Sequence, residues 1–523
     1  ILDGKGDGTI LDIDTTGLGS DVNTTVIISN MTITNSGSTA VDIDTNDANV
    51  EIKDSVFSFN YRSGDVGALS VNINASGKII LQNNLFANNR VSDDVAAVDF
   101  STDTGSIFVD RNQFITNAAD DDTGAFEVSS STGAITFSNN ICKNNASADG
   151  AGCGEIFSDG PITVANNTIT DNSSTGFAGG LDVESNSTET MLLVNNLIAN
   201  NHGANDTGGG VYIYTDIGKV ILVNNTITGN SNYDGGGLYI EAYDPTQASV
   251  FLYNNIIFSN NGIDGKDIYF NDNDFDGLTG ASITLVNNDF SDFHSDCQED
   301  TSTPCVPNIT LQNNLDLDPL FANAAAGDFH LQNASPVLNK GDNSAPNLPA
   351  TDLDGNPRVV SGTVDMGAYE ANSTALSVSP SVLTFPDLEE GKSSELLITI
   401  TNNGVQSVTF TEMTLSDTTN YSLNFAGGTC GSATVTLDAG KSCTIAVVSS
   451  PKTEGLKVAT LILKSNSASH PELTVSIFGA GVGGFAGVSG SGCSMSPAAL
   501  PTSTAWIYGM IPALLMVVRR MKK

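Results

Sequence analysis

The sequence predicts an all-β chain: a right-handed parallel β-helix, then an immunoglobulin-like β-sandwich, then a C-terminal hydrophobic anchor. A motif seen in full as Asn83-Asn84-Leu85-Phe86-Ala87-Asn88-Asn89 recurs, whole or in part, in eleven copies 25 to 33 residues apart. Short apolar runs of period two separate the copies, and no window shows a 3.6-residue apolar stripe. Strand-forming repeats of this length are typical of a β-solenoid.

Each repeat predicts three strands in a fixed order. One example starts with the apolar run 220–223, continues with Thr226-Ile227-Thr228 after the Asn pair, and closes with Gly236-Gly237-Leu238-Tyr239-Ile240 after a Gly-rich bend. Three strands per turn without a helix indicate a parallel β-helix, in which each turn lies about 4.8 Å above the last.

The second position of the motif is Asn in ten of the eleven copies, with Ser55 as the exception. Asn tolerates the left-handed conformation of a sharp corner, and stacked amides can hydrogen-bond along the axis. We therefore expect this Asn to form both the corner and a ladder. Two interior columns follow from the alternation. The first contains Ile33, Phe57, Phe86, Phe114, Cys142, Ile169, Ile198, Ile227, Ile257 and Phe290, and the second Leu69, Val98, Phe126, Cys153, Leu181, Val211, Leu238 and Ile268.

One bend repeats a carboxylate in most turns, four residues before the second column. Its members are Asp65, Asp94, Asp122, Asp149, Asp234 and Asp264, with Asp206 one place further off. Asp suits such turns because it bonds its own backbone. Carboxylates about 5 Å apart nevertheless repel by roughly 1 kcal/mol in water. The alternative is therefore that divalent cations, most plausibly Ca²⁺, bridge neighbouring turns.

A second candidate for Ca²⁺ is the segment 272–277, where Asp272, Asp274 and Asp276 match the first half of a calcium loop. The closing Glu of an EF-hand would fall at Ile283, so a solvated Asp-rich loop is the alternative.

Six of the seven cysteines form close pairs, which predict disulfides and an oxidising compartment. The pairs are Cys142 with Cys153, Cys297 with Cys305, and Cys430 with Cys443. The first pair falls in the two interior columns, so two free thiols are an alternative there.

The chain has 59 acidic and 20 basic residues, a formal net charge of −39. That balance argues against a nucleic-acid partner, and against a polyanionic substrate unless divalent cations intervene.

Several motifs follow the last repeats in one order: Asp318-Pro319-Leu320-Phe321, Gly327-Asp328-Phe329-His330-Leu331, 352–358 and Val364-Asp365-Met366-Gly367-Ala368-Tyr369-Glu370. Over 313–371 the sequence resembles the choice-of-anchor Q family of secreted bacterial β-helix proteins. The resemblance implies an exported surface protein and carries no catalytic residues. We assign 1–342 to the β-helix and 343–371 to a cap over its last open turn, with His330 packed in the cap rather than acting as a ligand.

Residues 372–481 alternate as antiparallel strands do and predict the immunoglobulin-like sandwich. Cys430-Gly431, 438–443 and Gly479-Ala480-Gly481 resemble the choice-of-anchor D family, which implies an accessory domain rather than an enzyme. The chain has Val448-Ser449-Ser450-Pro451 where that family usually has Phe-x-Pro.

The tail predicts a linker with a Cys motif over 482–497, a transmembrane segment over 498–518 and a basic end over 519–523. This order is similar to bacterial C-terminal sorting signals processed by an intramembrane protease, and Cys493 is then the processing or lipidation point. A plain anchor or a hydrophobic tail is the alternative. The chain starts at Ile1 without a signal peptide, so we expect an export signal upstream.

The function that these features favour is structural or adhesive: a secreted or cell-surface protein, membrane-anchored before processing, that binds a glycan or a neighbouring surface along a flat face. The alternative is a carbohydrate-active enzyme, a polysaccharide lyase or glycoside hydrolase, that uses Asp residues on the β-helix face. An enzyme should place two carboxylates, or a carboxylate and Arg, in a groove.

Overall fold

The computed structural model describes residues 1–482, except 7, 19–23, 63–64, 245–246, 272–280, 297–307, 333, 361, 372–375, 381, 387, 403, 405–406 and 468–470. Residues 2–312 form a parallel β-solenoid built from three eleven-stranded sheets. We name these sheets A, B and C, and all of their strand pairs are parallel, as the repeats predict.

The strands of each sheet are as follows. Sheet A contains Leu2–Asp3, Thr32–Thr34, Val56–Ser58, Leu85–Ala87, Gln113–Ile115, Ile141–Lys143, Thr168–Thr170, Leu197–Ala199, Thr226–Thr228, Ile256–Phe258 and Asp289–Phe290. Sheet B contains Leu11–Asp14, Val41–Thr45, Leu69–Ile73, Val98–Thr102, Phe126–Ser130, Gly154–Ser158, Leu181–Ser185, Val211–Thr215, Leu238–Ala242, Ile268–Asn271 and Phe293–Asp296. Sheet C contains Thr25–Ser29, Asn49–Lys53, Ile79–Gln82, Ile107–Asp110, Ile135–Ser138, Ile162–Ala165, Thr190–Val194, Lys219–Val223, Ser249–Tyr253, Ser282–Val286 and Asn308–Gln312.

A fourth sheet, which the repeats did not predict, lies between sheets A and B in chain order. Sheet D contains the six two-residue strands Tyr61–Arg62, Arg90–Val91, Ala118–Ala119, Ala146–Ser147, Ser173–Ser174 and His202–Gly203. The described helices are two short 3₁₀ turns, Thr16–Leu18 and Ala324–Ala326. In the described part of the chain, no helix is long and apolar enough to span a membrane, and the predicted segment 498–518 lies outside that part.

Two neighbouring residues form the corner and the ladder, which the sequence predicted for a single Asn. The first motif position has the left-handed backbone, with φ near +55°, at Asn83, Arg111 and Asn139 among others. The second position carries the ladder: Asn84, Asn112, Asn140, Asn167, Asn196, Asn225, Asn255, Asn288 and Asn314. The strand register also places Met31, not Asn30, beside Ser55, so the second position is Asn in nine copies rather than ten.

A second Asn ladder, which the sequence analysis did not separate from the first, stacks at the next corner: Asn60, Asn89, Asn117, Asn145, Asn172, Asn201, Asn230 and Asn260. Its last member donates from its backbone N–H and its Nδ2 to Asp267 Oδ1, both at 3.1 Å. A carboxylate thus ends the ladder where no further amide follows.

The first interior column is confirmed in register from Ile33 to Phe290. The second column is wrong at one position, because Gly154 rather than Cys153 pairs with Phe126 and Leu181. A Cβ on Gly154 would lie 2.4 Å from the Phe126 ring, so this ring fills the space of the missing side chain. Cys153 is displaced by one residue and forms a disulfide with Cys142, with Cα atoms 6.0 Å apart.

The segment that follows the solenoid differs from the predicted cap over the last open turn. It contains the antiparallel strands Phe321–Asn323 and Asp328–Leu331 and packs along the side of earlier turns. Phe329 packs against Leu197 and Ala199 of sheet A, and Met366 packs against Ile256. The buried Arg358 donates to the carbonyls of 367 and 368 and to the side chain of Asn195.

Residues 376–482 form two sheets on a common apolar core. One sheet contains Leu376–Ser379, Ser394–Asn402, Ser442–Ser449 and Tyr421–Asn424, and the other Val382–Thr384, Leu388–Glu389, Glu472–Val482, Gly455–Ser465, Val408–Leu415 and Thr436–Leu437. Cys430 and Cys443 are joined by a disulfide, with Cα atoms 4.9 Å apart. The immunoglobulin-like assignment of this region stays a prediction.

Candidate functional site

The outer face of sheet B carries the most unusual side chains of the solenoid. Because strand residues alternate between faces, the residue after each interior one points outward. In register, the resulting column reads Asp12, Asp42, Ser70, Asp99, Glu127, Glu155, Asp182, Tyr212, Tyr239, Tyr269 and His294. Two residues further along each strand, a parallel column contains Asp14, Asp44, Asn72, Ser101, Ser129, Phe157, Glu184, Tyr214, Glu241 and Asn271.

Two adjoining cavities lie on this face and share Phe157. The polar cavity, of about 290 Å³, is lined mainly by hydroxyl and amide side chains, among them Asn72, Ser101 and Ser129. The carboxylate cavity, of about 90 Å³, is lined by Glu127, Glu155, Ile156, Phe157, Asp182 and Glu184. Their lining residues lie on successive strands along the solenoid axis, and we call the two cavities together the groove.

Asp182 is the most buried of the four carboxylates, with 6% of its surface exposed. Its Oδ1 atom is buried and accepts no hydrogen bond from any described residue. Burial raises the pKa of Asp182 well above its usual range, the nearby Glu184 and Glu155 charges raise it further, and a hydrogen bond from the Val183 N–H lowers it. The balance favours the protonated form of the carboxyl.

The other carboxylates of the cavity are also crowded. Burial raises the pKa of Glu127 to about 7, with further increases from Asp99 and Glu155. Burial likewise raises the pKa of Glu184, with further increases from the Glu155 and Glu241 charges. None of the ion pairs in the described part of the chain includes one of these four side chains.

Hydrogen bonds fix the frame of the cavity. Glu155 Oε1 accepts from the Ala151 N–H and from the Thr123 hydroxyl, each at 3.0 Å. Beside Asp182, the hydroxyl of the buried Tyr212 donates to Glu241 Oε2 at 2.9 Å. Tyr212 starts a column of stacked rings that continues through 239 and 269, with centroids 5.5 and 4.8 Å apart.

This cavity was not predicted from the sequence. The signal was present, because Asp99, Glu127 and Asp182 each directly follow a residue of the second interior column. Glu155 was hidden by the misplacement of Cys153 in that column. The residue that belongs to the column is Gly154, which directly precedes Glu155. Glu155 therefore follows a column residue, as Asp99, Glu127 and Asp182 do.

The predicted Asp ladder is brought together in part. Bridges between Val66, Val95 and Thr123 place Asp65, Asp94 and Asp122 on successive turns, and Asp234 pairs with Asp264. Asp121, Asp122 and Asp149 are exposed, and their carboxylate oxygens lie within 4.8 Å of one another. Burial, followed by neighbouring carboxylates, raises the pKa of both Asp94 and Asp122. Oxygen ligands at this spacing could hold a hard cation such as Ca²⁺.

Two of the three predicted disulfides are confirmed, Cys142 with Cys153 and Cys430 with Cys443. The third differs from these two. Cys297 and Cys305 both fall within 297–307, outside the part of the chain that the structure describes. The disulfide between Cys297 and Cys305 therefore stays a prediction.

Other predicted site residues also lie outside the described ranges. They are Asp272, Asp274 and Asp276 of the calcium-loop match, and Cys493 of the tail.

His330 lies in the segment beside sheet A and binds two carboxylates. Its Nδ1 is 2.6 Å from Asp328 Oδ1, and its Nε2 is 2.7 Å from Asp354 Oδ2. The ring also stacks on Tyr369, with centroids 4.2 Å apart. The hydrogen bond to Asp354, with that to Asp328, raises the pKa of His330 to about 9. Both ring nitrogens are therefore engaged in holding the segment together.

Comparison with known proteins supports the solenoid alone. The family model described as right handed beta helix region matches residues 7–169 and 100–249. No curated protein gave a match.

Solved structures match only in part. They include the ASH/PapD-like domain of human CEP192 (16% identity, 24% of this chain and 99% of that chain, TM-score 0.18) and the VesB protease of Vibrio cholerae (20% identity, 25% and 40%, TM-score 0.18). A protein of unknown function from Porphyromonas gingivalis W83 is similar at 14% identity over 22% and 50%, with a TM-score of 0.18. This chain thus spans half or less of the latter two, and scores of this size support no conclusion. The N-terminal region, which folds as three parallel sheets and matches the family model, is a right-handed parallel β-helix.

Proposed function

We propose that this β-helix binds a glycan chain in the groove on the outer face of sheet B, as part of an exported protein with a structural or adhesive role. The observation that carries the proposal is the pair of cavities that share Phe157. One offers hydroxyls and amides, and the other offers carboxylates. A few polar groups around an aromatic surface are what a sugar, with its hydroxyls and apolar ring face, requires of a binding site.

The dimensions of the groove suit a chain rather than a single sugar. The part of the outward column that lines the two cavities, from Asn72 to Glu184, covers five successive strands, or roughly 19 Å at about 4.8 Å per step. The acidity of the face favours neutral or cationic glycans, because a uronic acid polymer would meet like charges.

An extracellular location fits the same proposal. Disulfides join Cys142 to Cys153 and Cys430 to Cys443, and such bonds persist in oxidising compartments. We propose that the tail beyond 482 attaches the protein to the membrane before processing at Cys493.

Glycan hydrolysis is the second candidate function, favoured by the carboxylates within the groove. Glu155 and Asp182 are register partners on adjacent strands. Glycosidases use two carboxyl groups about 5 to 10 Å apart, one of them protonated. A buried Asp182 beside Glu155 provides that combination of residue types.

The test is a glycan array probed with the full chain, followed by calorimetry and a reducing-end assay on each glycan that binds. We expect binding, and we expect Phe157→Ala to weaken it by roughly two- to tenfold through the lost aromatic contact. Asp44→Asn, on the same face beyond both cavities, should leave the affinity unchanged. New reducing ends would establish the hydrolytic function, and an array without any bound glycan would refute the groove.

A further inference from the structure

The carboxylate cavity gathers four acidic side chains, and none of them forms an ion pair with a described residue. Glu127, Glu155 and Asp182 are register partners on three successive strands, about 4.8 Å apart. Glu184 follows two residues beyond Asp182 on the same strand and also lines the cavity. Buried carboxylates in proteins are normally paired with a cation or with hydrogen-bond donors. This cavity therefore has the composition of a binding site for a donor-rich, positively charged group.

Asp182 gives this argument its independent support. It lines the cavity, 94% of its surface is buried, and its Oδ1 has no donor among the described residues. An oxygen in that position costs free energy until a donor reaches it. The frame around it is already fixed, since Glu155 Oε1 is held by the Ala151 N–H and the Thr123 hydroxyl.

The spacing of the carboxylates favours an ammonium group over a metal ion. Among the described residues, the one acidic group with three ligand atoms all within 4.8 Å is Asp121, Asp122 and Asp149, on the exposed bend. No three of the four cavity carboxylates have oxygens that all lie within 4.8 Å of one another. Oxygens on opposite sides of Ca²⁺ are about 5 Å apart at most, whereas opposite oxygens around an ammonium nitrogen can be about 5.6 Å apart. An ammonium group also brings three N–H donors.

We propose that the cavity formed by Glu127, Glu155, Asp182 and Glu184 is a subsite for the ammonium group of an amino sugar, so that the groove selects glycans with free amino groups. This inference rests on the glycan groove proposed above. The polar cavity on the other side of Phe157 holds neighbouring sugar units through their hydroxyls. The formal net charge of −39 draws a polycationic chain toward the protein.

Ligand binding should also release protons. Burial raises the pKa values of Glu127, Asp182 and Glu184, and so favours their protonated forms. An ammonium group placed among them favours their ionised forms. A neutral sugar in the groove has no such effect.

The experiment is calorimetry of the full chain at pH 6 with three ligands of equal length. These are a glucosamine hexamer, the same hexamer with every amine acetylated, and hexalysine. We expect the free-amine hexamer to bind at least tenfold more tightly than the acetylated one, and more tightly than hexalysine, which lacks the sugar rings. Its binding heat should depend on the ionisation enthalpy of the buffer, as proton release requires.

Two variants test whether the cavity carboxylates cause the preference for the free amine, and two further variants serve as controls. Asp182→Asn and Glu184→Gln should each abolish the preference for the free amine and leave binding of the acetylated hexamer intact, which also shows that the variants are folded. Asp44→Asn and Asp12→Asn, on the same face beyond both cavities, should change neither. Equal affinities of the two hexamers would overturn the ammonium subsite and leave the groove standing, and failure of both to bind would overturn both proposals. A preference that survives Asp182→Asn and Glu184→Gln, or hexalysine binding as tight as that of the glucosamine hexamer, would also overturn the subsite.

Discussion

At the residue scale, Asn140 illustrates how a single buried amide joins three turns. Its Nδ2 donates to the Val109 carbonyl at 2.9 Å and to Asn167 Oδ1 at 3.2 Å. Its Oδ1 accepts from the Asn112 backbone N–H at 2.8 Å and from Asn112 Nδ2 at 3.1 Å. Because the residue is buried, water does not replace these bonds when the amide is removed.

We therefore expect Asn140→Ala to lower the free energy of unfolding by roughly 2–4 kcal/mol, since each unsatisfied buried group costs about 1–3 kcal/mol. The neighbour Asn139 is exposed and has φ +56°, a conformation that Gly adopts without strain. Asn139→Gly should therefore change stability by less than about 1 kcal/mol. Urea unfolding followed by circular dichroism measures both, and equal losses would show that the buried ladder has no special role.

The repeat pattern did not predict that the corner and the ladder are formed by two different Asn positions. Where both positions are Asn, composition does not reveal which one takes the left-handed backbone. The informative copies are those with Asp54 or Arg111 in the first position. They show that the corner accepts several side chains, whereas the ladder position is Asn in every copy from Asn84 onward and Ser55 in the copy before it. The interior columns were predictable because burial imposes alternation on every strand.

At the element scale, a parallel sheet turns one repeated position into a continuous surface. The rule predicted the Asp ladder, and it applies equally to the outer face of sheet B, where the row of Asp99, Glu127 and Asp182 went unnoticed. Which of those carboxylates face a cavity depends on loops and neighbouring rings, such as Tyr212. Their burial could not be predicted from spacing alone.

For the Asp ladder, the prediction of Ca²⁺ binding is tested by thermal unfolding. Burial and, after it, neighbouring carboxylates raise the pKa values of Asp94 and Asp122. A bridging cation would relieve the repulsion between these carboxylates. We expect the Tm to rise in millimolar CaCl₂ and to fall in chelator, relative to NaCl of matched ionic strength. Asp122→Asn should reduce the rise. A Tm that is the same in all three solutions would show that the ladder does not bind Ca²⁺, and the preference of Asp for turns would then explain it.

At the scale of the whole molecule, the segment from 315 to 371 shows how a solenoid can be covered along its side. The segment packs on outward apolar residues of sheet A, namely Leu197, Ala199 and Ile256. In earlier turns the column of Leu197 contains apolar as well as polar residues: Leu85, Gln113, Ile141 and Thr168. The sequence therefore did not show where the segment packs, and the order of the chain suggested a cap at the end. Only the fold shows that the segment returns along earlier turns.

The buried carboxylates also give the whole β-helix a defined dependence on pH. Burial raises the pKa of Asp99 to about 6, and the pKa values of Glu127 and Asp289 to about 7. Between about pH 4 and pH 7, the folded chain therefore binds more protons than the unfolded chain, so the free energy of unfolding falls as the pH rises. Below pH 4 both states are protonated and this contribution is constant.

We expect the Tm to be higher at pH 5 than at pH 8, with a difference of at least about 2 kcal/mol in the free energy of unfolding, since one pKa unit corresponds to about 1.4 kcal/mol. Salt should not remove the difference, because burial rather than charge repulsion is the main cause at all three residues. Glu127→Gln should reduce it, because the amide does not titrate. Glu189→Gln, at an exposed position, is the matched control and should leave it unchanged. A Tm that rises from pH 5 to pH 8 would show that these carboxyls are ionised within the fold, and the acidic row would then need a bound cation to offset its charge.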